Sequence, residues 1–156
     1  RLLLHAPPTV PERPLRRAHV SGPDFLLRPV GVVRSELRDR DRAPMQGDEG
    51  APDAWIELRP EVASAAASLA AGDELLVLTW FHEADRSVLE VRPRGDPARP
   101  LTGVFSTRSP DRPNPVGLHR VQVLGVDARR IRVGPLEAID GTPVIDLKPV
   151  LLTDGR

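Results

Sequence analysis

The stretch Leu118–Leu136, LHRVQVLGVDARRIRVGPL, decides the fold class of this chain. It contains two short apolar segments, Leu118–Val126 and Arg130–Leu136, around the turn residues Val126-Asp127-Ala128-Arg129. Short apolar segments joined by a tight turn are typical of a β-hairpin. The stretch therefore predicts two neighbouring antiparallel strands.

Similar segments recur along the rest of the chain. The run Leu75–Phe81 is almost continuously apolar, which predicts a strand buried on both faces. The alanine-rich stretch Glu61–Ala71 follows Pro60 and precedes Gly72, and this pattern predicts one short helix. Eight or nine short strands and one helix predict a mainly all-β fold, a single antiparallel sheet or barrel. The other predicted strands cover Phe25–Arg34, Trp55–Leu58, Val88–Arg92, Leu101–Ser106 and Val144–Leu147.

Length and composition exclude several classes of protein. The 156 residues suffice for one domain. No apolar stretch approaches the roughly 18 to 20 residues of a membrane helix, so we expect no membrane span. The chain has no cysteine, which excludes disulfides and cysteine nucleophiles and favours a cytoplasmic location. Its four histidines lack the spacing of metal ligands, so we expect no metal site.

Charge is balanced overall but unevenly distributed. The 22 basic and 22 acidic residues cancel, so the whole molecule exerts no net attraction on nucleic acid. Residues 104–134 nevertheless carry six arginines against Asp111 and Asp127, a local surplus of four. Residues 1–24, rich in proline and arginine, are predicted to form an N-terminal arm, with the domain over 25–152 and a short tail over 153–156.

The segment Gly103–Leu118, GVFSTRSPDRPNPVGL, is the strongest candidate for a ligand site. Its three prolines fix φ and remove backbone donors, so the loop is stiff before any ligand arrives. Polar groups held in fixed directions bind a ligand at a lower ordering cost. The alternative is a rigid turn whose arginines pair with Asp111 and with backbone carbonyls. The polar residues between the prolines and just before them are Arg108, Asp111, Arg112 and Asn114.

Residues 107–118, TRSPDRPNPVGL, closely resemble the signature of the TrmO (YaeB-like) family. The resemblance continues at PVGVVRS (29–35), WFH (80–82) and DGTPVIDLKP (140–149), in the order of the family. It covers roughly residues 25–150. It implies a small β-barrel, a homodimer and an S-adenosylmethionine-dependent methyltransferase. The implied substrate is tRNA, methylated on N6 of threonylcarbamoyladenosine at position 37.

The resemblance and the stiff loop together predict a set of site residues. Arg108 or Arg112 would bind the carboxylate of S-adenosylmethionine, and Glu83 or Asp140 would accept hydrogen bonds from its ribose or amino group. The general base is His82 or Asp140, and the residues do not decide between them. The predicted cofactor-binding set is Pro44, Met45, Gln46, His82, Glu83, Arg108, Arg112, Asn114, Leu118, Asp140, Gly141, Thr142 and Pro143.

Several positions depart from the family pattern. Met45 stands where the family has the arginine of a Pro-Arg-Gln loop, His119 where it commonly has a serine, and Val150 where it has a tyrosine. The segment 72–76 also lacks the aromatic residue and the histidine that typically precede the buried strand of the family. Two other readings therefore stay open. The chain could bind S-adenosylmethionine and methylate another substrate, or it could be a binding module without catalytic activity.

Overall fold

The computed structural model describes residues 26–151, in which six of eight strands close into an antiparallel barrel. The barrel order is β1-β2-β7-β6-β3-β8, and β8 pairs with β1 to close it. The remaining strands, β4 and β5, form a separate two-stranded ribbon. The strands are β1 (Gly31–Arg34), β2 (Ala54–Leu58), β3 (Glu74–Trp80), β4 (Glu90–Val91), β5 (Thr102–Gly103), β6 (Val116–Asp127), β7 (Arg130–Gly134) and β8 (Pro143–Pro149). The small antiparallel barrel is the predicted fold.

The β-hairpin predicted within residues 118–136 is confirmed. β6 pairs with β7 antiparallel, and Asp127 faces Arg130 across the turn. Ala128 adopts φ 51°, the left-handed conformation that such a tight turn requires. The register shifts between Val123 and Gly125, which gives the long strand an irregularity at its middle.

The core fills the barrel interior with β-branched and leucine side chains. Val33, Ile56, Ile131 and Val133 are completely buried. In β3, Leu75, Val77 and Thr79 face inward and are buried, while the alternate residues are half-buried. The prediction that β3 is buried on both faces is therefore wrong, because no layer of helices covers the outside of this barrel in the described residues.

Three other elements are shorter than the sequence predicts. β1 begins at Gly31 rather than near residue 25, since Pro29 has no backbone N–H for a ladder. β4 and β5 keep two residues each, because Pro93, Pro97 and Pro100 interrupt the chain between them. The predicted helix is present as the 3-10 helix Pro60–Ala66.

That 3-10 helix lies in the connection between β2 and β3. It buries Ala66 against the barrel core, and Leu69 just beyond it packs on the same cluster. Gly72 ends the connection at φ 99°, and its N–H donates to the carbonyl of Val123. Within residues 26–151 no helix has the length and apolar character needed to cross a membrane.

The barrel has two different ends. One end, which we call the loop end, carries the three connections 35–53, 81–115 and 135–142. The opposite end carries the short hairpin turn and the 3-10 connection 59–73. The predicted arm 1–24 and tail 153–156 lie outside the described residues.

Candidate functional site

All of the predicted site residues lie at the loop end. They belong to its three connections or to the first residues of β6 and β8. Antiparallel pairing causes this convergence, because β1 and β3 end where β6 and β8 begin. Motifs that are far apart in sequence therefore meet at one end of the barrel.

Arg112 holds the proline loop together from inside. Its Nε donates to the carbonyl of Ser109 at 2.8 Å, and its Nη2 donates to Val104 at 2.9 Å and to Thr107 at 2.6 Å. Three backbone carbonyls thus accept hydrogen bonds from a half-buried guanidinium. Arg112 therefore clamps the loop through its Nε and Nη2 groups. This outcome matches the rigid-turn alternative for one of the two arginines.

Arg108 differs from Arg112 in its surroundings. Its side chain is exposed, and a single N–H donates to the carbonyl of Leu118 at 3.2 Å. That contact fixes the direction of the guanidinium and leaves its other N–H groups for a ligand. A planar fork of this kind suits a carboxylate. Arg108 is therefore the arginine of the proline loop that is placed to bind an acid.

Arg40 joins the 35–53 connection to two parts of the 81–115 connection, although no sequence motif singled it out. Its Nη1 donates to the carbonyl of Glu83 at 2.7 Å, and its Nη2 lies 3.1 Å from Asp111 Oδ1. The same Asp111 oxygen accepts the N–H of Asp85 at 2.8 Å. Asp111 is thus neutralised by Arg40 of another loop, not by an arginine of its own. Only the closed barrel brings these side chains together, so the sequence carried no signal for the bridge.

The turn after β3 presents two free side chains. His82 and Glu83 are exposed, and within residues 26–151 their side chains make no hydrogen bond. Behind them Asp85 accepts from the hydroxyl of Ser87 at 2.6 Å and from its backbone N–H at 2.8 Å. These two hydrogen bonds, the hydroxyl first, lower the pKa of Asp85 below its ordinary value.

Asn114 fastens this turn to the proline loop. Arg86 donates from Nε to the carbonyl of Pro113 at 2.8 Å and from Nη2 to the side-chain oxygen of Asn114 at 3.4 Å. The same guanidinium lies 5.2 Å from the centroid of the Trp80 ring. Asn114 therefore has a structural partner at this position.

The segment 140–143 forms a tight turn against the end of β1. The Oδ1 atom of Asp140 accepts the N–H of Ser35 at 3.0 Å, and Arg38 lies 3.3 Å from Oδ2. Gly141 has φ 83°, and open space lies where a side chain would stand. Thr142 is buried and donates its hydroxyl to the carbonyl of Ile139 at 2.7 Å, so it supports the turn from inside. Pro143 opens β8.

The loop Pro44-Met45-Gln46 carries no cation in this chain. Met45 is 54% exposed and offers an uncharged thioether. Pro44 and Gln46 are half-buried on either side of it. The arginines of the same connection, Arg38, Arg40 and Arg42, stand before this segment.

His119 belongs to a buried polar network that the sequence did not reveal. The side chain is 2% exposed, and its Nδ1 lies 2.5 Å from Glu137 Oε1. Its Nε2 lies 2.7 Å from the hydroxyl of Thr79, and its ring meets Phe81 edge-on at 5.7 Å. A carboxylate only accepts, so Nδ1 is the donor to Glu137. His119 is a core residue that joins β3 to the 135–142 loop.

Beside Asp140, an open cleft of about 790 Å³ lies on the outer wall of β1, β2 and β7. Trp55 and Arg132 line it, and neither residue was predicted as part of a site. A tryptophan in a short apolar strand is indistinguishable from a core residue by sequence alone. The full lining is Arg34, Ser35, Glu36, Arg38, Asp53, Ala54, Trp55, Arg132 and Asp140.

Comparison with protein families gives one match over most of the chain. Residues 32–153 match the model of the tRNA-methyltransferase O N-terminal domain. A protein of Methanothermobacter thermautotrophicus, named a probable S-adenosyl-L-methionine-binding protein, is 46% identical over 83% of this chain and 93% of its own length. An S-adenosyl-L-methionine-binding protein of Archaeoglobus fulgidus is 40% identical over 80% of this chain and 88% of its own length.

Among solved structures, the crystal structure of TrmO from Pseudomonas aeruginosa is similar to this chain, with a TM-score of 0.67 at 28% identity. The alignment covers 88% of this chain and 62% of that protein. The chain therefore spans less than two thirds of the solved protein that it resembles.

Proposed function

Since this chain belongs to the tRNA-methyltransferase O family, we propose that it binds S-adenosylmethionine at the loop end of the barrel and methylates tRNA. The specific reaction is methyl transfer to N6 of threonylcarbamoyladenosine at position 37. Curated relatives from two archaea carry names that state S-adenosylmethionine binding, which supports the cofactor. A cytoplasmic location, favoured by the lack of cysteine, is part of the same proposal.

One observation supports this function above all: three separate loops meet at the loop end and are fastened together there. Arg40 binds both the carbonyl of Glu83 and the carboxylate of Asp111. Ser35 binds Asp140 through its backbone N–H. A site whose parts are already positioned loses little conformational freedom when a ligand arrives.

The side chains at this end fit the chemistry of the cofactor. Arg108 has free N–H groups for a carboxylate, and the exposed Glu83 carboxylate can accept from an amino group or a ribose hydroxyl. Leu118 is 44% exposed beside them and offers apolar surface to an adenine ring. Gly141 leaves room for a close approach to the backbone. When bound, S-adenosylmethionine supplies an electrophilic methyl group on a sulfonium centre.

The protein's contribution to methyl transfer is positioning and proton removal. Attack on the methyl carbon needs in-line geometry, which the stiff proline loop and the Asp140 turn maintain. The N6 nitrogen of the acceptor is urea-like and poorly nucleophilic, so removing its proton assists the reaction. The residues that perform these tasks must reach the same end of the barrel, and the candidates do.

Between the two candidate bases, the contacts favour His82. Both carboxylate oxygens of Asp140 already lie against donors, Ser35 N–H and the Arg38 guanidinium. The imidazole of His82 is exposed and has no side-chain partner within the described residues. Asp140 then acts as a positioning residue that holds the turn, and His82 accepts the proton.

A homodimer is the proposed assembly. On the outside of the barrel, Val116 and Leu118 of β6 are 39% and 44% exposed. They lie directly opposite Trp80 and Leu78 of β3, which are only half-buried. A contiguous exposed apolar patch is typical of a protein–protein interaction surface. The patch adjoins the proline loop, so a partner there would lie beside the site.

The first experiment is calorimetric titration of the purified chain with S-adenosylmethionine. We expect saturable binding, and Arg108→Ala is expected to weaken it. Arg120→Ala is the matched control, because Arg120 is an exposed arginine of β6 that pairs with Glu74 and lies outside the site. Equal affinity in all three proteins would contradict the assignment of Arg108.

A methyl-transfer assay with tRNA bearing threonylcarbamoyladenosine then tests the reaction. His82→Gln is expected to lower the transfer rate at saturating S-adenosylmethionine, because it removes the proposed base. Binding without transfer to any tRNA would contradict the methyltransferase and leave a binding module. Transfer to unmodified tRNA alone would contradict the proposed acceptor.

A further inference from the structure

The cleft beside Asp140 has the form of a second binding site. Arg34 of β1 lies opposite Trp55 of β2, and Trp55 lies opposite Arg132 of β7, so the three side chains form a row across the outer wall. The cleft volume of about 790 Å³ falls in the range of small-ligand pockets, about 300 to 1,000 Å³. We call it the Trp55 cleft. Its aromatic and charged lining residues indicate the chemical class of its ligand.

Trp55 offers aromatic surface on the outside of the barrel. The indole is half-buried, and the Arg130 guanidinium lies 4.5 Å from the ring centroid. Arg130 does not line the cleft, whereas Trp55 does. The cleft therefore reaches a part of the indole that Arg130 does not cover. A planar group entering the cleft can stack there.

The charges of the cleft are mixed. Arg132 pairs with Asp53 at 2.8 Å, and Arg38 pairs with Asp140 at 3.3 Å. Arg34 is exposed and makes no ion pair within residues 26–151. A surface that tracks many phosphates would carry a continuous excess of cations. The three arginines equal the three carboxylates in number, and Arg34 and Glu36 are both without an ion pair within residues 26–151. This arrangement suits a ligand with a single phosphate near Arg34 and hydrogen-bond donors near Glu36.

We propose that the Trp55 cleft binds one unpaired nucleotide of an RNA loop, with the base stacked on Trp55 and the phosphate at Arg34. The RNA is the methyl acceptor of the proposed function, on which this inference rests. Arg132 and Asp53 supply a donor and an acceptor for the edge of the base. Asp140 lines the cleft and also opens the turn of the candidate cofactor site. The bound nucleotide is therefore a near neighbour of the one that is methylated.

RNA in single-stranded loops fits this cleft better than a duplex does. Bases in a loop can turn outward and stack on aromatic side chains, whereas bases in an A-form duplex are hidden in a deep groove. Three of the six arginines in 104–134, Arg129, Arg130 and Arg132, also lie at or next to β7. The rest of an RNA loop thus meets arginines beyond the cleft.

The test measures the binding of two labelled RNAs of equal length. One is a hairpin that carries the anticodon loop of tRNA, which contains position 37, and the other is fully paired. Trp55→Ala is expected to raise the Kd for the hairpin about tenfold, the loss typical of one stacked base. Arg34→Ala is expected to weaken hairpin binding and to reduce the slope of log K against log salt by about 0.7. Arg28→Ala, which removes an exposed arginine from the segment before β1, is the control and should change neither.

A fluorescence measurement keeps the test independent of the folding of Trp55→Ala. The chain has two tryptophans, so Trp80→Phe leaves Trp55 as the only one. The hairpin is expected to quench Trp55 emission saturably, and the paired RNA is expected not to. Absence of quenching by bound hairpin would overturn the proposal.

Titration with S-adenosylmethionine separates this inference from the proposed function. Trp55→Ala and Arg34→Ala should keep the cofactor affinity of the unchanged chain. A parallel loss of cofactor binding would assign the cleft to the cofactor site and overturn the proposal, as would an unchanged Kd for the hairpin. Trp55-dependent hairpin binding by a chain that binds no S-adenosylmethionine would support the cleft and refute the methyltransferase.

Discussion

At the scale of single residues, the two arginines of the proline loop show how one side-chain type takes two roles four positions apart. Arg112 donates hydrogen bonds to three backbone carbonyls, while Arg108 donates a hydrogen bond to one. The first therefore contributes to the shape of the loop, and the second remains available to a ligand. The difference lies in which carbonyls the fold brings within reach.

These roles predict opposite effects on stability and binding. Arg112→Ala is expected to lower the free energy of unfolding by about 1 to 3 kcal/mol, because the partly buried carbonyls of Ser109 and Thr107 lose their donor. Arg108→Ala is expected to leave stability within about 0.5 kcal/mol and to weaken S-adenosylmethionine binding about tenfold. Denaturant unfolding and calorimetry check both. Equal stability losses in the two variants would contradict the distinction.

Gly117, the second residue of β6, stands at a position that leaves no room for a side chain. A Cβ atom there would lie 2.6 Å from Phe81 Cζ and 2.7 Å from His119 Nε2, and would also contact the hydroxyl of Thr79. The buried network around His119 occupies the space that a side chain would need. The glycine of the family signature therefore serves the barrel interior in this chain.

Gly117→Ala is expected to destabilise the chain by about 1 to 3 kcal/mol through overpacking. The matched control is Gly103→Ala, since nothing lies within 4 Å of a Cβ atom at Gly103. Denaturant midpoints compare the two variants. A loss of similar size at both positions would point to the backbone and would refute the steric explanation.

At the scale of elements, short polar contacts hold the turn after β3 at the loop end. The turn after β3 is fixed by Asp85 with Ser87 and by Asp111 with the Asp85 backbone. Because the pKa of Asp85 is lowered, its charged form is the one that the turn stabilises. This contribution is present above the ordinary carboxyl pKa of about 4 and is lost as pH falls through the lower folded value.

Ser87→Ala is expected to raise the pKa of Asp85 toward its ordinary value, because the strongest donor to the carboxylate is removed. NMR titration of the Asp85 carboxyl carbon measures the change. Ser64→Ala, in the 3-10 helix at the opposite end, serves as the control and should leave the Asp85 titration unchanged. A titration of Asp85 that does not move in Ser87→Ala would show that the hydroxyl has no such effect.

At the scale of the whole molecule, the barrel separates two surfaces. The outside of β3 and the first half of β6 is apolar around Val116, and the outside of β1, β2 and β7 is polar around Trp55. The first suits a second copy of the chain, and the second suits a nucleotide. Both adjoin the loop end, so cofactor, partner and RNA would meet near one another.

Val116→Glu is expected to convert a dimer into a monomer, because a charge would be buried in the interface. Val126→Glu is the matched control: Val126 lies on the same strand, and its exposed fraction of 40% compares with 39% for Val116, but it stands near the hairpin turn. Sedimentation velocity distinguishes the two species. A monomeric unchanged chain, or a dimer that persists in Val116→Glu, would refute the proposed interface.

The sequence by itself determined the strands, the hairpin and the family. Apolar segments such as Leu75–Phe81 and the turn residues after Val126 act through local geometry, which a sequence pattern records directly. The strings 107–118 and 140–149 were long enough to identify the family that the comparison then matched over 32–153. The observed strand ends differ from the predicted ones, because prolines near β1 and β4 remove ladder donors without changing the apolar pattern.

Only the tertiary structure decided which side chains act together. Arg40 meets Asp111, 71 positions along the chain, and His119 is buried against Thr79 and Glu137. Trp55 faces outward because the register with Arg34 and Arg132 places it there. Such contacts arise when the barrel closes, and hydrogen bonds and stacking act only at short range. A sequence pattern does not give the spatial distance between residues that are far apart in the chain, so these partners are identified only in the folded molecule.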